Sequence, residues 1–161
     1  MIRDFFKKQK NSKKTDAFLK KYKIPKAYIN INRKSIANAF FIGVFLAMMP
    51  MPFQMLAALL CMPFVKFNVP LTLTLVWISN PLSMPFIFYA EYLLGNWILQ
   101  KEMIGDMTLS VEWFQNNLDT IFEPLLLGAL ISGVTLATLS RYLINYLWRR
   151  SIQKELLTKN L

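Results

Sequence analysis

Apolar residues along this chain come in blocks rather than in alternation. No charged side chain occurs over residues 35–65, 67–90 or 124–140, and lysines, arginines or acidic residues flank each block. About 20 apolar residues in a helix cross a hydrocarbon core of about 30 Å. The blocks therefore predict membrane-spanning length rather than the one-sided stripe of a soluble helix. Two of them are interrupted. In Ala47-Met48-Met49-Pro50-Met51-Pro52-Phe53-Gln54-Met55, Pro50 and Pro52 cut the first block into halves that each rise only about 20 Å as a helix. A proline removes a backbone donor and collides with the preceding turn, so two of them one residue apart predict a break. The second block repeats the format with Asn80-Pro81 and then Met84-Pro85. Unbroken, residues 69–100 would form a helix of about 48 Å, too long for a simple crossing. Broken backbone at membrane depth is tolerated where protein or water covers it.

Three further patterns complete the reading. Ala39, Gly43 and Ala47 recur every four residues in the first block, and Gly128/Ser132 and Ala129/Gly133/Ala137 do so in the last. Small residues at that spacing allow close helix approach. Over 107–122 the positions Met107, Val111, Phe114, Leu118 and Ile121 share one helix face while Glu112, Gln115, Asn116 and Asp119 face away, which predicts an amphipathic helix capped by Ser110. Before the first block, residues 1–34 form a basic arm in which two short interfacial pieces flank a charged link; after the span at 124–147 comes a basic tail, 149–161.

Composition sharpens this. With 55% hydrophobic and 17% charged residues the chain is too apolar for an ordinary soluble fold. The expected class is an all-α integral membrane protein, with a proline-broken re-entrant segment or hairpin over 35–65, a span over 69–100 broken at Asn80-Pro81, an amphipathic outer helix over 107–122 and a span over 124–147, all inside a membrane domain at 35–148. The net charge of +10 is concentrated in the arm, where twelve lysines and arginines oppose Asp4 and Asp16. Abutting an apolar block, such an arm leans on anionic headgroups, so Lys7, Lys8, Lys20, Lys21, Arg33 and Lys34 are candidate lipid contacts and nucleic acid is not an expected partner. The absence of histidine removes the commonest base and metal ligand, and Cys61 has no partner for a disulfide. No metal, no cofactor and no enzymatic activity are expected.

The positive-inside rule places both termini in the cytoplasm and the acidic 101–123 segment outside, which demands an even number of crossings. One broken block must then return and the other cross. Lys66, the only charge between them, favours a cytoplasmic loop there, so the first block is assigned as the one that turns back.

Asn32-Arg33-Lys34-Ser35, the Pro50-Met51-Pro52-Phe53-Gln54 turn, Asn68-Val69-Pro70-Leu71 and Asn80-Pro81-Leu82-Ser83-Met84-Pro85 together resemble a bacterial integral-membrane family, domain of unknown function 2062, over roughly residues 30–148. The resemblance implies a multi-pass inner-membrane protein of Gram-negative type, whose domain is sometimes joined to glycosyltransferases. It brings no catalytic residues and leaves the arm at 1–29 outside.

Two functions follow from the pattern. The first is a small transport or lipid-handling protein whose broken segments meet at a polar site built from Gln54, Asn80 and Glu91 with the hydroxyls of Ser79 and Ser83, since discontinuous segments expose backbone groups that transporters use as ligands. The second is an assembly or scaffold protein, a homo-oligomer held through the small-residue rows. Each candidate has a plainer role as well: Asn80 as a turn residue beside Pro81, Glu91 as an interfacial residue, and Gln54 as a partner for the backbone freed by Pro50 and Pro52.

Overall fold

A computed structural model describes residues 31–101 and 110–159 of the 161-residue chain. Among the described residues the secondary structure is helical with no strand: α1 (Arg33–Met48), α2 (Gln54–Leu60), α3 (Val69–Val76), α4 (Met84–Leu99), α5 (Val111–Asn116) and α6 (Leu118–Lys159). The starts follow from local chemistry. Asn32 caps α1 by accepting from Ser35 N at 2.7 Å, and Asn68 caps α3 by accepting from Leu71 N at 3.1 Å, with Pro70 in the first turn. Each side chain satisfies one of the backbone donors that a helix start leaves free. Both prolines of the first break lie between α1 and α2, and Asn80-Pro81 lies between α3 and α4, so the interruptions fall where the sequence placed them.

The 42-residue α6 is the axis of the fold. It rises about 63 Å, and within it Asp119–Gln153 is the one segment among the described residues long and apolar enough to cross a membrane. Two helices of 16 residues, α1 and α4, share its length. Alone, each covers about 24 Å, short of a hydrocarbon core. Gly133 of α6 faces Phe45 and Met48 of α1 and Met49 just beyond it, and Arg141 lies over Phe41, so α1 runs antiparallel along the C-terminal half of α6. Ser132 bonds Glu91 of α4, and Pro124 meets Gly95, so α4 runs antiparallel along the N-terminal half. Gly133 faces the end of α1 and Ser132 faces the middle of α4, so the partner of α6 changes at a seam, Ser132-Gly133.

The chain between them returns to the start of α1. Asn68 N donates to Ser35 O at 3.3 Å and Asn38 Nδ2 donates to Lys66 O at 3.0 Å, which sets Lys66 beside the basic entrance of α1. From there α3 climbs parallel to α1: Thr72 Oγ1 donates to Ala39 O at 3.4 Å and to its own-turn Asn68 O at 3.1 Å, and Gly43 admits Leu75. The first broken block thus doubles back, while the second runs from the Arg33 end of α6 to its far end, where Lys101 pairs with Glu123.

The amphipathic segment differs from expectation. Residues 102–109, including Met107, lie outside the described residues; α5 covers only 111–116, and residues 118–122 are the opening turns of α6 rather than part of a separate helix. Ile121 and Leu125 are fully buried against Phe88 and Tyr92 of α4, and this packing carries the helix through Pro124, whose own side chain is buried. The far end of α6 likewise continues past Arg149-Arg150 to Lys159, so the tail begins as helix.

Candidate functional site

Both breaks open onto one cavity of about 480 Å³. Its lining is polar at Gln54, Ser79 and Asn80 and apolar at Met51, Phe53, Leu56, Trp77 and Met84. The bridge between the breaks is Gln54. Its Nε2 donates to Met49 O at 2.8 Å, and its Oε1 accepts from Ser79 Oγ at 3.0 Å. One amide therefore satisfies the carbonyl freed at the end of α1 and ties the first break to the second. Gln54 thus bonds the backbone at the first break and lines the cavity as well.

The second break is closed locally. Asn80 Oδ1 accepts from Leu82 N at 2.9 Å and from Ser83 N at 3.1 Å, while Ser83 Oγ accepts from Asn80 N at 3.1 Å and donates to Ile78 O. These bonds mimic a capped turn and free Pro81 from the need to donate. Asn80 and Ser83 are thus turn-forming residues, with Asn80 also lining the cavity. At the first break Phe53 caps α2 in the left-handed region, φ 59°, which a side chain occupies at a cost.

Glu91 stands apart. It lies 2% exposed in the interface of α4 with α6, and it is absent from the cavity wall. Ser132 Oγ donates to its Oε1 at 3.2 Å, whereas Oε2 has no hydrogen-bond partner among the described residues. The carboxyl is buried where two backbones touch: a Cβ on Gly128 would lie 1.8 Å from Glu91 O, and one on Gly95 would lie 1.8 Å from Pro124 O. The five polar candidates therefore divide into a set at the breaks and Glu91 with Ser132.

The small-residue rows are used within the chain. Ala39, Gly43 and Ala47 are buried in the α1 packing, as are Gly128, Ala129, Gly133 and Ala137 on α6. Little of either row is left facing outward for a second copy. The lipid-contact candidates Lys7, Lys8, Lys20 and Lys21 lie outside the described residues, and Arg33 and Lys34 open α1 with exposed side chains. Among the described residues, no group of three histidines, cysteines or carboxylates could hold a metal ion.

The cavity walls are not legible in the sequence. Trp77, Met51 and Met84 carry no pattern that separates them from other apolar residues in the blocks, and only the return of α2 and α3 onto α1 brings them together.

The architecture is thus that of a helical protein built around one long apolar helix, with two proline-broken segments meeting at a shared cavity beside it. The profile of a bacterial family described as an uncharacterized protein conserved in bacteria, DUF2062, matches residues 17–156, and the chain belongs to this family. The match reaches further than the quoted motifs, into the second half of the basic arm. No curated protein and no solved structure matches the chain.

Proposed function

We propose that the chain is a bacterial inner-membrane protein that binds and hands on an amphiphile at the cavity between its two breaks, without altering it chemically. The observation that carries this reading is the Gln54 bridge. An amide that fixes two broken segments to one another at the edge of a largely apolar cavity leaves a small polar patch in the lining of a space suited to an acyl chain.

Depth supports it. The seam at Ser132-Gly133 falls at the centre of the uncharged 124–140 block, so with α6 across a bilayer the breaks lie near the midplane. The outer faces support it as well. Phe53, Phe64, Trp77, Leu82, Phe86 and Trp97 are more than half exposed, together with Val134, Leu139 and Leu143 on α6. Apolar exposure on this scale is out of place in water and ordinary in lipid. The cytoplasmic assignment of both termini rests on charge: Arg33, Lys34, Lys66, Arg149 and Arg150 gather at one end of the fold, as the positive-inside rule asks of an inner face.

The test is photocrosslinking of the full chain in bilayers that contain a phospholipid with a diazirine on its acyl chain. Adducts are expected to concentrate on Met51–Leu56 and Trp77–Met84, and Gln54→Ala is expected to reduce them severalfold. Glu91→Gln, outside the cavity, leaves the pattern as it is. Adducts spread evenly over every exposed apolar face would defeat the proposal.

A further inference from the structure

Below the seam, α1 and α6 are not packed flush. Thr138, Arg141, Asn145 and Arg149 recur at spacings of three or four residues, so they share one face of α6. Opposite them α1 presents Arg33 and, two turns on, Phe41. A groove of about 670 Å³ lies between, with Tyr142 and Tyr146 on its wall. The Arg141 guanidinium lies 5.7 Å from the centroid of the Phe41 ring, which holds that cation in place over the groove.

Charge makes the groove unusual. Arg33, Arg141 and Arg149 all line it, and among the described residues no carboxylate does. Three like charges in one recess repel one another unless an anion joins them. Guanidinium is planar and offers paired N–H donors that match phosphate oxygens two at a time. The phenol hydroxyls and the Asn145 amide add neutral donors at the same level. Toward the seam the groove gives way to exposed Leu139 and Val134, so a headgroup held by the arginines would have its acyl chain beside apolar α6.

We propose that this groove is a binding site for a phosphate group, with Arg33, Arg141 and Arg149 as its cationic ligands. The site itself does not depend on the function proposed for the cavity at the breaks. Its phosphate comes either from an anionic phospholipid headgroup or from a soluble phosphate ester, and the chemistry of recognition is the same.

Arg150 supplies the control. It lies one residue from Arg149 but stacks on Tyr146 at 4.8 Å and does not line the groove. The full chain is placed in phosphatidylcholine nanodiscs with and without a minor fraction of phosphatidylglycerol, and bound lipid is counted by native mass spectrometry. In a second arm, glycerol phosphate is titrated into the phosphatidylcholine sample. Arg141→Gln and Arg149→Gln are each expected to weaken binding about tenfold, the loss of a charge-assisted hydrogen bond, whereas Arg150→Gln changes it less than about twofold. Arg141→Lys separates fork geometry from charge and also serves if the glutamine variant misfolds: it keeps the cation and is expected to recover only part of the affinity. Retention of phosphatidylglycerol without a response to glycerol phosphate assigns the lipid as the source; binding of glycerol phosphate assigns the soluble ester. Equal losses in Arg141→Gln, Arg149→Gln and Arg150→Gln would mean diffuse attraction and overturn the site, as would the absence of binding in both arms.

Discussion

The two halves of α6 are packed by opposite means. Toward its N-terminus, against α4, backbone meets backbone: Gly95 against Pro124 and Gly128 against Glu91 leave no room for a methyl group. Toward its C-terminus, against α1, side chains mediate the contact; a Cβ on Gly133 would find Met48, Met49 and Phe45 at 3.3–3.4 Å, and further along the helices part to leave the arginine groove. Thioethers and rings can adjust where a peptide carbonyl cannot. The first interface is therefore a fixed joint and the second an adaptable one. The breaks sit at the change from one to the other.

The largest effect should come from testing the joint directly. Gly128→Ala places a methyl 1.8 Å from the Glu91 carbonyl oxygen, and no rotamer relieves it. Forcing the helices apart is expected to cost about 3 kcal/mol or more, well beyond the gain of about 1 kcal/mol in helix propensity. Gly133→Ala on the adaptable side meets Met48 Cβ, the Met49 methyl and the Phe45 ring at 3.3–3.4 Å, contacts that a shift of a few tenths of an ångström relieves, and it gains the same propensity, so its net change is expected to stay within about 1 kcal/mol. Thermal unfolding of the two variants in one detergent measures the difference. Equal destabilisation would remove the distinction between the halves.

At the seam, Gln54→Ala is expected to have a middling effect on stability. Both of its partners keep another bond, since Met51 N donates to Met49 O at 2.8 Å and Ser79 Oγ donates to Val76 O at 3.3 Å. What is lost is the tie between the breaks, about 1 kcal/mol in hydrogen-bond terms. Pulsed electron paramagnetic resonance with labels at Met55 and Leu82 should then report a broader distance distribution than in the parent. An unchanged distribution would show that packing alone holds the breaks together.

Several of these features could be read from the sequence. Proline chemistry places the breaks, because a missing donor acts locally, and Asn80 closes its own turn with partners two and three residues away. In the fold the chain comes back from the first break to the start of α1, where Asn68 N donates to Ser35 O. The Gly128/Ser132 row marked a tight face correctly without telling which helix would occupy it. Glu91 was not legible as a buried residue. Its place near the end of an apolar block suggested an interface, and its burial depends on Gly128 and Ser132, about forty positions away in the chain. The separate helix over 107–122 failed for a related reason: the period was helical, but where that helix ends is decided by Ile121 and Leu125 packing on α4, which carries it through Pro124.

The smallest expected effect lies at Phe53, on the adaptable side of the seam. Its left-handed backbone costs a side chain about 1–2 kcal/mol relative to glycine. Phe53→Gly relieves this but adds freedom to the unfolded chain, worth about 0.5–1 kcal/mol in the opposite direction. At 79% exposed the ring gives up little internal contact, so the folded protein should gain about 0.5 kcal/mol in total. The same ring lines the cavity wall, and the acyl-chain adducts at Met51–Leu56 should fall in the variant even as its unfolding temperature holds or rises. Strain kept at Phe53 against the interest of stability fits a role in the wall of the proposed site. If Phe53→Gly lowers the unfolding temperature and leaves the adducts unchanged, Phe53 is a packing residue, and the wall of the site must be sought at Trp77.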